Sequence, residues 1–217
     1  MIRLNKFIAN AGICSRREAD TLIAAGNVTV NGKTITEMGF KVALTDEVRF
    51  DGRLLRAEKK EYVLLNKPKN FITTTRDEKG RRTVMELVSN ASVSRLLPVG
   101  RLDRNTTGLL LFTNDGDLAK KLTHPKHGVR KIYHVELDRN LKASDLAGIR
   151  KGMELEDGPI EVDEVSYISG SPKTEVGIQI HSGRNRIVRR IFEHLGYKVV
   201  KLDRVVFAGL TKKDLPR

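Results

Sequence analysis

The sequence predicts an α+β protein in which a small N-terminal domain precedes a larger one. Three observations predict it. The 217 residues suffice for a small domain attached to a larger one. The N-terminal quarter carries two helix signals and then hairpin signals, whereas strand signals dominate the rest. Residues 53–61 are charged and poor in apolar side chains, which marks a linker between residues 1–58 and residues 59–217.

In the N-terminal part, residues 3–11 suit a short amphipathic helix that buries Leu4, Phe7 and Ile8, with Gly12 as its stop. Ser15-Arg16-Arg17-Glu18 is a capping box that opens a second helix, whose apolar face is Ala19, Leu22 and Ile23. Val28 and Val30 alternate as a strand into Asn31-Gly32, a two-residue hairpin signal with Ile35 on the return. Val48 and Phe50 add a further strand. Lys6, Arg16 and Arg17 cluster at the helix junction. They suit phosphate contacts, and they equally suit a solvated charged face.

In the larger part, residues 62–66 form a strand stopped by Lys67-Pro68, and residues 71–75 read as another. Residues 98–116 hold one carboxylate, Asp103, in a loop of small polar residues and glycines. An apolar run, Leu109 to Phe112, follows and ends in an Asn-Asp-Gly turn. An acid-bearing loop beside a rigid strand is one way to present a reactive group; Asp103 also suits an Asx turn. Residues 117–122 have helical composition, and Val129, Lys131, Tyr133, Val135 and Leu137 share a strand face. By residue type Tyr133 is a core or surface tyrosine on a sheet. Strands are expected at 160–168 and 175–180. A helix is expected from the Ser182–Arg186 turn to Leu195, with Ile187, Ile191 and Leu195 on one face. Arg189 lies about 200° around from Ile187, away from that stripe, where charges usually face water.

Composition narrows the function. Forty basic residues against 27 acidic ones give a net charge of +13, which implies a polyanionic partner, nucleic acid before membrane. No apolar run is long enough for a transmembrane span, and the N-terminus lacks a signal-peptide core. A single cysteine, Cys14, suits the reducing cytoplasm and a packing role. The five histidines lack ligand spacing, and no phosphate-binding glycine loop occurs, so neither metal nor cofactor is expected. Asp115 and Asp117 flank a glycine without the other ligands of a calcium loop.

The stretch 98–116, with Gly100-Arg101-Leu102-Asp103 at its centre, resembles the catalytic motif of the RsuA/RluB/RluE/RluF family of ribosomal RNA pseudouridine synthases. Arg3-Leu4-Asn5-Lys6, Ser15 to Ala19 and Val28 to Gly32 resemble the αL RNA-binding domain, of the S-four type. The resemblance implies a mixed, mainly antiparallel sheet flanked by helices in the larger domain. It implies that Asp103 is the essential aspartate, and that Tyr133, within Lys131-Ile132-Tyr133, lies against the target base. Residues 183–190 resemble a third family motif, in which Arg189 pairs with the aspartate. Two departures are Asn70, where relatives carry glycine, and Ile187, where many carry glutamine. Thr123-His124-Pro125 and residues 155–159 resemble the RluB branch, which modifies 23S rRNA of the large subunit. The N-terminal Arg-Leu-Asn-Lys and residues 193–197 look more like the RluF branch. Relatives continue beyond Leu215-Pro216-Arg217, so the sequence is expected to be trimmed or incomplete.

The implied reaction is an isomerisation of uridine to pseudouridine, which needs no redox equivalent and no external energy. It needs an ionised carboxylate at the ribose, and a guanidinium beside Asp103 opposes the cost of burying that charge. The expected partner is ribosomal RNA, bound by a monomer. Its phosphates would meet Lys6, Arg16, Arg17, Lys67, Arg101, Arg184, Arg186 and Arg190, with Arg81 and Arg82 adding charge. The competing readings are a non-catalytic ribosomal assembly factor, a modifier of small-subunit 16S rRNA, and a metal-dependent nuclease. The assembly factor would have lost Asp103 or Arg189. The nuclease would need clustered acids near Asp103, and the sequence has no convincing group there.

Overall fold

The computed structural model describes residues 1–213, 215 and 216; Arg217, where the expectation of a trimmed end falls, lies outside the described residues. The chain forms two compact units. The smaller comprises residues 1–61 with 93–96 and 114–116, and the larger comprises residues 62–92, 97–113 and 117–217.

The smaller unit runs β1 (Ile2–Arg3), α1 (Leu4–Asn10), α2 (Arg16–Ala24), β2 (Val28–Val30), β3 (Lys33–Thr34), β4 (Lys41–Val42), β5 (Val48–Phe50) and β6 (Arg53–Leu54). The Ser15 capping box forms as expected: the Ser15 hydroxyl accepts the Glu18 N–H, and the Glu18 carboxylate accepts the Ser15 N–H at 2.7 Å. Asn31 and Gly32 both take positive φ (49° and 78°), the geometry that joins β2 to antiparallel β3. Leu4, Phe7, Ile8, Ala19, Ile23 and the β2 valines close one core. Part of the expected linker is structured, because Arg53 and Leu54 pair with β5 as strand β6.

The larger unit contains β7 (Tyr62–Lys67), α3 (Val84–Val88), β8 (Leu97–Pro98), β9 (Thr107–Thr113), α4 (Gly116–Thr123) and β10 (Lys131–Leu137). Next come α5 (Ala143–Lys151), β11 (Met153–Leu155), β12 (Gly158–Ile160), β13 (Glu164–Tyr167), β14 (Glu175–Ile180), α6 (Ile187–His194), β15 (Val199–Phe207) and β16 (Leu210–Thr211). Its main sheet has the order β13-β14-β10-β15-β9-β7, with β16 on β15 and β8 on β9. Among the described residues only the β15–β9 pairing of this sheet is parallel, so the sheet is mixed and mainly antiparallel. Helices α5 and α6 cover β10, β13 and β14 through Leu146, Ile149, Val188, Ile191 and Phe192. Each such side chain contributes about 1.5–3 kcal/mol on burial.

Three sequence expectations differ from this architecture. Residues 71–75 make only an isolated bridge, Ile72 to Thr83, because the chain there serves the neighbouring loop instead. The strand expected at 160–168 is split, ending as β12 and resuming as β13. The central strand β15 was not anticipated, since Lys201, Asp203 and Arg204 interrupt its apolar pattern.

Candidate active site

Strand β9 is buried at every position, and the loop before it carries Asp103. Gly108 sets how that strand meets β15. Its φ is 106°, and a Cβ there would collide with the backbone of Arg204, its register partner. Only glycine permits this parallel pairing.

The loop itself is held from β7. The Lys67 ammonium is fully buried and donates to the carbonyl oxygens of Thr106 (2.8 Å), Pro68 (3.0 Å), Asp103 (3.1 Å) and Arg104 (3.4 Å). Burial pulls its pKa down to about 8, and the Asp103 charge opposes that fall. Lys67 is therefore withdrawn from the set of RNA-contacting cations: a side chain wrapped in backbone carbonyls cannot reach a phosphate. Asn70 adopts φ 73° and donates its N–H to the Arg104 carbonyl at 2.9 Å, so asparagine does serve where relatives carry glycine. Thr73 adds a third tie, donating its hydroxyl to the Leu102 carbonyl at 2.7 Å and accepting the Leu102 N–H.

Asp103 opens onto a cavity of about 190 Å³ whose wall includes Tyr133, Arg101, Lys131, Arg186, Ile187 and Arg204. It is the only acidic side chain in that wall among the described residues. Arg186, rather than Arg189, is the guanidinium nearest its carboxylate, with Nη1 3.7 Å from Oδ2. The Arg189–Asp103 ion pair that the resemblance implies does not form. Arg189 is not on a solvated face either; it is buried, donating to the Val199 carbonyl (3.3 Å) and the Thr106 hydroxyl (3.5 Å). Burial and the Arg186 charge push its pKa down, and Asp103 pushes the other way. Arg189 thus meets the Asp103 loop at Thr106 rather than at the carboxylate. The reason is the backbone of Arg186, which takes φ 49° before the first turn of α6 and so turns its own side chain to Asp103.

Other expected cations are occupied. Arg184 and Arg190 converge on Asp157, in the turn between β11 and β12, with Arg184 Nε and Arg190 Nη1 3.1 and 3.0 Å from Oδ2. The two guanidinium groups hold the Asp157 carboxyl far below the usual carboxylate range. In the smaller unit, Arg16 and Arg17 are exposed at the start of α2 and Lys6 is half-buried. Sequence reasoning missed Arg204, whose signal was hidden in a strand that it did not anticipate.

The mixed sheet presents one aspartate on a clamped loop, in a cavity lined by a tyrosine and cations, an arrangement that suits an enzyme working through a single reactive carboxylate. Residues 61–194 match the RNA pseudouridylate synthase family, and residues 2–48 match the S4 domain. The ribosomal large subunit pseudouridine synthase B of Bacillus subtilis is 41% identical, the match covering 99% of this chain and 89% of that protein. An uncharacterised RNA pseudouridine synthase of Aquifex aeolicus is 39% identical over 96% of this chain and 85% of its own length. A crystal structure of a pseudouridylate synthase superposes with a TM-score of 0.69 at 30% identity, covering all of this chain and 94% of that one. The chain belongs to the RNA pseudouridylate synthase family and carries an N-terminal S4 domain. It is an isomerase that converts uridine in RNA to pseudouridine.

Proposed function

We propose that the substrate is ribosomal RNA of the large subunit, the 23S species, and that Asp103 carries the chemistry. The supporting observation is the lone carboxylate of the cavity, held by Lys67, Asn70 and Thr73 on a loop with little freedom to move. The similar Bacillus subtilis protein is named for the large subunit, which supports that choice of RNA.

In this reading the target nucleotide is flipped from its stack at a cost of about a few kcal/mol. The bond from the ribose anomeric carbon to uracil N1 breaks, with Asp103 acting as nucleophile or as the stabiliser of the ion that forms. The base turns and a bond to C5 replaces the first; C5 loses a proton and N1 gains one, so the product is an isomer. Tyr133 lies against the base and keeps it in the cavity. Arg186 and the buried Arg189 keep positive charge beside Asp103. Lys6, Arg16 and Arg17 of a binding module spanning residues 1–58 meet phosphates, as does Arg101 beside the cavity; residues 59–217 form the catalytic domain.

A net charge of +13 suits a monomer that meets RNA directly, and a single cysteine suits the cytoplasm. No helix among the described residues is long and apolar enough to cross a membrane. Pseudouridine mapping on unmodified large- and small-subunit rRNA, with the unaltered protein and Asp103→Asn, tests this reading. One new large-subunit site that is absent with the variant is the expected result. A site only in small-subunit RNA would overturn the choice of substrate. RNA binding with no new pseudouridine would overturn the catalytic reading.

A further inference from the structure

Many cations of this fold are matched by a carboxylate. Arg184 and Arg190 share Asp157, Arg81 has Asp77, Arg139 has Asp138 and Lys201 has Glu136. One surface of the larger unit differs. Residues 118–135, running from within α4 into β10, hold five lysines and arginines and no acidic residue. Lys131 is turned inward and donates to the His181 and Ser182 carbonyls. The other four, Lys120, Lys121, Lys126 and Arg130, are exposed. Among the described residues none of those four side chains has an ion pair or a hydrogen bond. Like charges gathered without counter-charge repel one another, and a polyanion relieves that repulsion.

Lysines in the last turn of a helix complement its dipole, which accounts for Lys120 and Lys121. It does not account for Lys126 and Arg130, which follow the helix on a backbone that is itself fixed. Residues 125–127 form one 3₁₀ turn, closed by Gly128 at φ 52°, whose N–H donates to the Pro125 carbonyl at 3.0 Å. The His124 ring accepts the Lys126 N–H at 3.3 Å and meets the His127 ring edge-on. Ala208, just past β15, donates its N–H to the Arg130 carbonyl at 3.1 Å. Beneath the segment, Ala119, Leu122 and Val129 pack on Val99, Leu109 and Leu111. The cations therefore stand on a frame joined to β9, the strand that follows the Asp103 loop. Leu122 and Thr123 of the same segment line the Asp103 cavity. None of the large apolar side chains exposed on this protein falls within 118–135, and lysine is depleted from the cores of protein–protein interfaces. The surface suits a phosphate backbone better than a protein.

We propose that Lys120, Lys121, Lys126 and Arg130 form an RNA-docking track, which holds the phosphates next to the uridine that enters the Asp103 cavity. Phosphate contacts carry no sequence information, so the track sets the register of the RNA while the cavity takes the base. The inference rests on the reading that the Asp103 cavity receives the target uridine.

The test compares two double variants of the full chain on unmodified large- and small-subunit rRNA transcripts. Lys126→Gln with Arg130→Gln removes two charges from the track. Lys142→Gln with Lys151→Gln removes the same charge from the two ends of α5, where neither lysine lines the cavity. Affinity is measured over a range of salt, and hydroxyl-radical footprints are set against the mapped pseudouridine. The track pair is expected to bind about tenfold more weakly and to flatten the log–log salt slope by about 1.5, against less than about 0.5 for the α5 pair. Backbone protection next to the mapped pseudouridine is expected to weaken in the track pair alone. Equal effects of the two pairs overturn the proposal, because the charges then act only through net charge. Unchanged affinity for the transcripts, with a loss confined to ribosomal particles, overturns it in favour of a protein partner. The salt slopes decide the matter even where no pseudouridine forms, and that absence, with the unaltered protein, overturns the catalytic reading instead.

Discussion

The Lys67 ammonium donates to the Thr106 carbonyl across 2.8 Å, tying the last residue of β7 to the residue just before β9. Three more carbonyls of the same region, including that of Asp103 itself, accept from the same nitrogen. Replacing this donor leaves four carbonyls without it inside the fold. Lys67→Met is expected to cost about 3 kcal/mol of stability and to slow pseudouridine formation at least tenfold. Urea unfolding and single-turnover assays check the two effects; a variant of unchanged stability and rate would remove Lys67 from the account.

The depressed pKa of Lys67 gives a second test. Below pH 8 the ammonium is charged in both the folded and unfolded states, and its burial is a full penalty. Between about pH 8 and the ordinary lysine value near ~10.4 the unfolded chain binds the extra proton, so stability rises with pH over that window. Urea midpoints of the unaltered protein and Lys67→Met, measured from pH 7 to 10, are expected to diverge in favour of the unaltered protein above pH 8. Parallel curves would mean that the lysine keeps its ordinary pKa.

Much of this arrangement was legible in the sequence, for physical reasons that differ by element. The capping box at Ser15 and the Asn31-Gly32 hairpin are local chemistry and need no tertiary information. The run 109–112 reads as a buried strand because both of its faces are covered. Strand β15 was illegible because its charged residues are satisfied by other parts of the fold: Asp203 accepts the Thr107 hydroxyl at 2.6 Å, and Arg204 meets the Leu109 carbonyl. Arg189 and Lys67 misled for the same reason. Charge in a sequence suggests solvent, whereas here each guanidinium or ammonium is buried against backbone carbonyls that only the fold brings near.

Gly108 carries a prediction about the sheet itself. Gly108→Ala puts a Cβ into the Arg204 backbone at a φ of 106°, which neither rotamer changes nor side-chain shifts relieve. A loss of about 3 kcal/mol is expected, equivalent to about 10 °C in melting temperature. Scanning calorimetry measures it, and a melt within 2 °C or so of the unaltered protein would show that β9 and β15 part without cost.

Asp157 predicts how salt affects RNA binding. Its carboxylate sits between Arg184 and Arg190 and offsets charge that phosphates would otherwise meet. Asp157→Asn adds one net positive charge at that surface. The variant is expected to bind RNA more tightly at low salt and to steepen the log–log salt dependence by about 1. A flatter slope would show that Asp157 organises these arginines for RNA rather than masking them.

The two arginines near Asp103 are separable by experiment. Arg186 is 3.7 Å from the carboxylate, and its side chain is 45% exposed, so the pair adds less than about 1 kcal/mol to stability. Its worth lies in the charge that it places beside the reacting ribose, which acts only when RNA fills the cavity and excludes water. Arg186→Gln is therefore expected to melt within about 3 °C of the unaltered protein while slowing the reaction about tenfold. Arg189 is buried and serves both Val199 and Thr106, so Arg189→Gln is expected to lower melting temperature and rate together. Melting curves and single-turnover rates for the pair distinguish the roles. The reverse pattern, with Arg186→Gln unfolding early and Arg189→Gln only slow, would exchange the two assignments.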